Sequence, residues 1–497
     1  MDKSIIIIGA GIYGLPAGCY GQMNGYDTRI FEQHTLPGGV CTSWKRKGYV
    51  FENCIHWLIG SGPGRFFNSF WEELGALQGK EIINHEEMFR VEDGDKTLIL
   101  YSDLDKFKAH LKEISPQDSP FIEEMISDAR KWAAADFPID KATEVMTPLE
   151  LIKLGWSMRS TMKIMKKYDS ISCPELANRF KNPFLKKAFP LLLGTPPIYY
   201  STAIITTLGC LDIGNAGFPK GGSLEFAKGI EKRYLNLGGK IDYRSRVEKI
   251  IVKDDRAVGV KLGDGSEHYA DYVISAADGY STIFDMLDGK YADEKIRGYY
   301  ENLTLTPPIV TVSIGVDLDL SNEPHWLLYY LDEQISITDR KRDWIMVHNY
   351  SFDLTLAPAG KTMLNCTFET SFDYWNDLLK DKKEYKVEKE KIANTVISEL
   401  DKRFPGFKSK VEITDVATPT TWVRYTGNWK GAYQGWAFTP KNAAIRMKKT
   451  LPGLKNFYIS GQWVSPGGGL PPGPMLGRHV IQIICKKDKR KFVTSKP

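Results

Sequence analysis

Four consecutive isoleucines, Ile5 to Ile8, run straight into Gly9, Gly11 and Gly14. An unbroken β-branched run reads as a strand covered on both faces, as in a parallel sheet flanked by helices. Leu15 to Met23 can continue as a helix, with Pro16 in its first turn, where a missing N–H is tolerated. Tyr26 to Phe31 reads as a second strand, closed by Glu32. The chain therefore opens as a βαβ unit whose turn is built from glycine.

Each part of that turn has a physical task. Gly9 permits a tight turn, Gly11 lets backbone N–H groups approach a pyrophosphate, and Gly14 lets the helix pack closely on the strand. Glu32 can accept hydrogen bonds from a ribose hydroxyl. Glycine triplets alone are common. A strand before this one, a helix after it and an acid closing the next strand point to an adenine dinucleotide. The expected contacts are Gly9, Ala10, Gly11, Ile12, Tyr13, Gly14, Glu32 and Gln33. A secretory signal is the competing reading, and it fails: only Met1 to Ser4 precede the run, with Lys3 as the sole positive charge.

At 497 residues the chain predicts two or three domains, and its 42% hydrophobic and 26% charged content is that of a soluble globular protein. A net charge of +5 is too small for this length to indicate nucleic-acid binding. The 7 cysteines are scattered, which predicts reduced thiols in a cytoplasmic protein and no metal knuckle. No apolar run is long enough to span a bilayer. Without repeats or a low-complexity linker, the domains are expected to be interwoven.

Pro37-Gly38-Gly39 follows Glu32 closely. Alone it would be a surface turn; its position brings it over the same dinucleotide. From about residue 63 to 202 the spacing predicts a mostly helical insertion. Within it Leu151, Leu154, Met158, Met162 and Met165 form one helical stripe, interleaved with Lys153, Arg159, Lys163, Lys166 and Lys167. Residues 149–168 read either as a lid or core helix or as a basic, methionine-rich helix resting on an anionic membrane.

Beyond it come a predicted helix, Ser223 to Leu237, and strands at Lys240 to Tyr243, Val247 to Lys253, Ala257 to Leu262 and Tyr272 to Ala276. Gly263-Asp264-Gly265 supplies a hairpin turn. The aromatic-rich stretch from about 282 to 416 is expected to supply the sheet of a substrate domain. Near the C-terminus, a strand from Asn456 to Ser460 leads through a loop containing Gly467, Gly468, Gly469 and Gly473. A helix from Pro474 to Cys485 follows, making a second anion- or oxygen-binding corner.

Together these motifs resemble the phytoene desaturase, carotenoid isomerase and retinol saturase family of flavoproteins, in order along nearly the whole chain. Pro219-Lys220-Gly221-Gly222 is similar to the family's central Pro-x-Gly-Gly element, and Gly461 to Gly473 to its flavin loop. The resemblance implies an α/β fold: a Rossmann-like FAD-binding domain of residues 1–70, 205–282 and 416–497. It is interwoven with a substrate domain of mixed sheet and helical insertion, residues 71–204 and 283–415. It implies noncovalent FAD, since no C-terminal cysteine lies in an amine-oxidase covalent-flavin context. Further cofactor contacts are implied at Gly38, Gly39, Val40, Val247, Ala276, Gly461, Gln462, Gly469, Leu470 and Pro471. Two positions depart from relatives: Val40 replaces a frequent Arg, and Gln462-Trp463 replace an acid of amine oxidases.

The implied activity is desaturation, saturation or isomerisation of a long apolar polyene or isoprenoid, such as a carotenoid or retinoid. The implied location is the cytoplasm, with a peripheral place on the inner face of the membrane. A flavin amine oxidase and a non-catalytic prenyl carrier like the GDP-dissociation inhibitors are the alternatives. No catalytic triad or metal-ligand cluster is evident. The catalytic candidates are His56 and Trp57, which the strand Tyr49 to Glu52 could deliver toward the flavin or the substrate channel, with core packing as the competing reading.

Overall fold

A computed structural model describes every residue except Met1, Asp2, Asp136, Thr195, Ala444 and Ser465. Five parallel strands form the first sheet, in the order Lys240–Asp242, Asp27–Phe31, Ser4–Ile8, Tyr272–Ser275, Phe457–Ile459. The isoleucine strand lies at its centre. Ile5 and Ile7 enter the core shared with the helices Gly14–Met23, Gly222–Asn236 and Pro472–Lys487. Ile6 and Ile8 enter a separate core on the other face, beneath the antiparallel strands Val247–Lys253, Arg256–Leu262 and Glu267–Tyr269. Burial on both faces explains why this strand has no polar alternation. The C-terminal helix starts earlier than its spacing predicts, because Pro472 and Pro474 both fit within its first turn.

The second sheet has seven strands, in the order Val411–Ala417, Ile309–Val316, Thr362–Glu369, Arg340–Asn349, Trp326–Ile337, Glu87–Asp93, Lys96–Tyr101. Its outer face packs on the helix Lys382–Arg403, burying Val312, Ile314, Ile345, Val347, Val396 and Leu400. Its inner face meets the helices between Leu104 and Asp212 in a core containing Trp326, Leu328 and Met346. The stretch expected to be mostly helical thus contributes two strands to this sheet, after the short helix Asn68–Glu73. Phe89, Val91, Leu98 and Leu100 alternate with partly exposed residues, a period-two signal that the helical reading overlooked.

The basic stripe is two helices, Pro148–Ser157 and Arg159–Asp169, separated at Met158. Thr147 and Glu150 form a capping box that starts the first. The exposed apolar residues are not the expected stripe: Leu149, Ile152, Trp156 and Met162 are all more than half exposed, whereas Leu154, Met158 and Met165 are only partly exposed and Met165 packs against the inner core. Lys167 faces inward and pairs with Glu124 and Asp128, so it is not part of the exposed basic face. Among the described residues no helix is long and apolar enough to cross a membrane.

Candidate active site

At the carboxyl edge of the parallel sheet the three glycines serve different ends. A Cβ on Gly14 would lie 1.9 Å from the Gly9 carbonyl oxygen, so only glycine lets this helix sit on this strand. A Cβ on Gly11 would meet nothing closer than the Gly38 oxygen at 3.8 Å; the backbone there borders open space. Gly38 N–H donates to Ala10 O at 2.8 Å, which lays the Pro37-Gly38-Gly39 turn over the first loop. Ala10 N–H and His34 N–H each donate to the Glu32 carboxylate at 2.7 Å. Burial raises the Glu32 carboxyl above its ordinary range, and these N–H donors hold it back. Each carboxylate oxygen keeps a lone pair for a further donor such as a ribose hydroxyl.

The C-terminal loop closes over the same place, with the Tyr13 hydroxyl donating to Gly469 O at 2.9 Å. Between the two loops opens a cavity of about 830 Å³. Every residue expected at the cofactor lines it except Ala10, Gly14 and Gly461, which lie behind its wall. Ala10 instead anchors Glu32 through its N–H, and Gly14 is a packing glycine. Val40 stands in the wall as the sequence has it. The open face of Gly11, the adjacent helix start and the buried acid fit the pyrophosphate and ribose of a dinucleotide.

The same cavity continues into an aromatic compartment walled by Trp57, Phe66, Trp132, Trp326, Trp344 and Phe438. The device that brings His56 and Trp57 there is the buried Glu52, at the end of the strand Tyr49–Glu52. Its carboxylate accepts from the N–H groups of Cys54 at 3.0 Å and Ile55 at 3.1 Å, turning the chain toward the cavity. Ser223 clamps the same carboxylate through its N–H at 2.7 Å and its hydroxyl. The Pro219-Lys220-Gly221-Gly222 element therefore serves here to seat Ser223 on Glu52, and its two glycines do not line the cavity.

His56 stacks on His348 with ring centroids 4.1 Å apart and planes 9° from parallel. Trp326 lies 4.0 Å from the His348 ring, and the Tyr350 hydroxyl is 3.5 Å from His56 Nδ1. Burial pushes His56 down to about 4 and holds His348 well below the ordinary histidine value. Both rings are thus neutral near neutral pH and present ring nitrogens, not positive charge, to the cavity. His348 Nε2 is enclosed and has no hydrogen-bond partner among the described residues.

His348 is the main site residue that sequence reasoning missed. It pairs in register with Trp326 on one neighbouring strand and Asn365 on the other, pairings that no local pattern encodes. The available signal was the alternation of Trp344, Met346 and His348 along one strand. Asp278 was missed as well: it lines the cavity, accepts from Trp429 N–H at 3.0 Å, and burial pushes it up to about 6.

Known proteins resemble this chain in sequence and in fold. The chain is 24% identical to the chloroplastic prolycopene isomerase of Arabidopsis thaliana, over 94% of this chain and 80% of that one. It is 23% identical to a lycopene-forming phytoene desaturase of Pseudescherichia vulneris, over 94% of this chain and 96% of that one. An oxidoreductase from Methanosarcina mazei has the same fold, with a TM-score of 0.62 at 18% identity over 97% of this chain and 100% of that one. The family described as flavin containing amine oxidoreductase matches residues 14–471. That span runs from the last glycine of the first loop to Pro471 in the second, and on it the chain belongs to the flavin-containing amine oxidoreductase family.

Proposed function

We propose that this flavin-dependent oxidoreductase binds FAD noncovalently and acts on a long apolar polyene or isoprenoid, such as a carotenoid or retinoid. The observation that carries the reading is one cavity joining a dinucleotide cradle to an aromatic compartment. Gly11 would face the pyrophosphate, Glu32 the ribose, Val247 the adenine, and Gly469 to Pro471 the flavin. When bound, oxidised FAD would accept a hydride from an allylic C–H for desaturation, and reduced flavin would deliver one to a double bond for saturation or support a redox-neutral isomerisation. The chain's own task is to exclude water and hold the substrate straight, which Trp57, Trp326 and Trp344 do by walling the compartment. Cys485, on the C-terminal helix, packs against Tyr26 and does not line the cavity, in keeping with a noncovalent cofactor. Residues 1–70, 205–282 and 416–497 then make up the cofactor domain, and 71–204 with 283–415 the substrate domain.

Lipid extraction of the purified protein followed by mass spectrometry tests this reading. A co-purified polyene or isoprenoid is the expected result. Turnover of a small amine, with no lipid retained, would replace the reading with an amine oxidase.

His56 is proposed to orient the substrate or tune the flavin, with Trp57 as tunnel wall. His56→Gln should keep its FAD content and melting temperature yet lose at least about ten-fold in turnover on the extracted substrate. A turnover and pH profile equal to the parent's would make His56 a packing residue.

The exposed Leu149, Ile152, Trp156 and Met162, with Lys153, Arg159, Lys163 and Lys166 exposed on the same two helices, are proposed to rest reversibly on an anionic membrane surface from the cytoplasmic side. Met165 on the same helix lines the cavity, which would place lipid beside the substrate compartment. Co-sedimentation with anionic vesicles should occur at low salt and weaken as salt rises. No sedimentation at low salt would reduce these helices to a solvent-facing lid.

A further inference from the structure

The compartment wall changes character along a single strand. From His348 the cavity-facing residues of Arg340–Asn349 run through Met346 and Trp344 to Arg342, while Ile345 and Val347 point into the core behind. At the rise of an antiparallel strand, His348 and Arg342 are separated by roughly 20 Å. One end of the compartment is therefore two neutral imidazoles among tryptophans, and the other is a guanidinium.

That guanidinium is under-used by the protein. Its Nη2 donates to the main-chain oxygen of Glu369 at 2.5 Å, and its carbon lies 5.8 Å from the Trp344 ring centroid. Its Nε is enclosed without a hydrogen-bond partner, and Arg342 makes no ion pair among the described residues. The Glu369 carboxylate, which lines the same end, is instead paired with Arg340 at 3.3 Å, and Arg340 is also within reach of Asp339. Asp339, Asp343 and Glu369 favour the charge on Arg342 and Arg340 opposes it, while burial outweighs them and lowers the guanidinium's proton affinity. A half-buried cation at the end of an apolar wall is costly unless an anion completes it. A hydrocarbon terminus would leave that cost in place, whereas a carboxylate would remove it through charge-assisted hydrogen bonds.

We propose that Arg342 anchors a carboxylate at the end of an apolar ligand, so that the chain lies along Trp344 and Met346 toward His348 and His56. The substrate is then an apolar acid, not a pure hydrocarbon, and Arg342 sets which carbons reach the histidine pair. The proposal rests on the reading that the cavity takes a long apolar chain.

Quenching of tryptophan fluorescence in the FAD-loaded protein, titrated with all-trans-retinoic acid, its methyl ester and all-trans-retinol, tests it. The acid should bind at least about ten-fold tighter than the ester or the alcohol. Arg342→Gln, with melting temperature and FAD content as in the parent, should erase that preference and leave ester and alcohol affinities unchanged. Arg342→Lys should restore part of it. Equal affinity for all three probes in the parent, or an Arg342→Gln variant that keeps the preference, overturns the anchor while the apolar cavity stands. Arg342-dependent preference for retinol overturns the carboxylate assignment. If no probe binds, the reading of the cavity fails and the anchor with it.

Discussion

Gly11→Val should fold like the parent and purify without its flavin. Folding is expected because a Cβ at this position meets nothing within 3.8 Å, so the added methyls enter the cavity and leave the protein's own packing intact. Loss of cofactor is expected because that space is where a pyrophosphate must approach the backbone. Gly14→Ala is the contrasting control: its Cβ would lie 1.9 Å from the Gly9 oxygen, so it should damage the fold itself. The informative pattern is a Gly11→Val protein with parental circular dichroism and melting behaviour, and at least about a ten-fold drop in bound FAD. Full occupancy in Gly11→Val would move the cofactor away from the glycine loop.

A second large effect concerns acid. Burial pushes His56, His85 and His479 down to about 4, and His325 and His348 lie well below the ordinary value. A histidine depressed in the folded state stays neutral there while its unfolded form takes up a proton. Its contribution is present above the unfolded value of about 6.5 and is lost as pH falls toward the folded value. For His479, only 8% exposed, the loss between about pH 7 and pH 5 is roughly 2 kcal/mol. His56 and His85 act in the same sense.

Asp278, pushed up to about 6, opposes them: the folded carboxyl takes up its proton first, which adds about 1 kcal/mol of stability over the same range. Glu32 and Glu52, raised by burial, act in Asp278's direction. His34 and His110 are lowered by burial as well and Asp169 is raised, so the depressed histidines outnumber the raised carboxyls and the net effect of acid is a loss of stability. The urea midpoint, measured with FAD in excess, should therefore fall markedly from about pH 7 to pH 5. His479→Gln can keep a donor to Ile139 O, which His479 Nε2 meets at 2.7 Å, and should be less acid-sensitive than the parent by about 2 kcal/mol. A midpoint that holds or rises toward pH 5 would contradict the sign of these shifts.

The βαβ end of the cavity was legible because its information is local. Ile5 to Ile8, the three glycines and Glu32 lie within one βαβ unit, and each residue type is required by the turn it makes. The motif points Ala10 at the cofactor, whereas its N–H is spent on Glu32, a partner that the motif alone does not reveal. The aromatic compartment was harder to read because it is assembled from strands distant in sequence. Trp326, His348 and Asn365 meet only through pairing register, and the strand at Glu87–Asp93 joins them from inside a segment that reads as helical. Glu52 gave no signal either. Its function depends on Ser223, 171 residues away, and its burial is visible only once the two are brought together.

The claim on which the rest depends is that the glycine-lined end of the cavity holds FAD without a covalent bond. Heat denaturation of the purified parent, followed by chromatography of the supernatant, tests it directly. The expected result is a yellow protein that releases FAD in about one equivalent per chain and leaves a colourless precipitate. FMN in the supernatant, flavin retained on the precipitate, or a parent that purifies and stays colourless after incubation with FAD would contradict it.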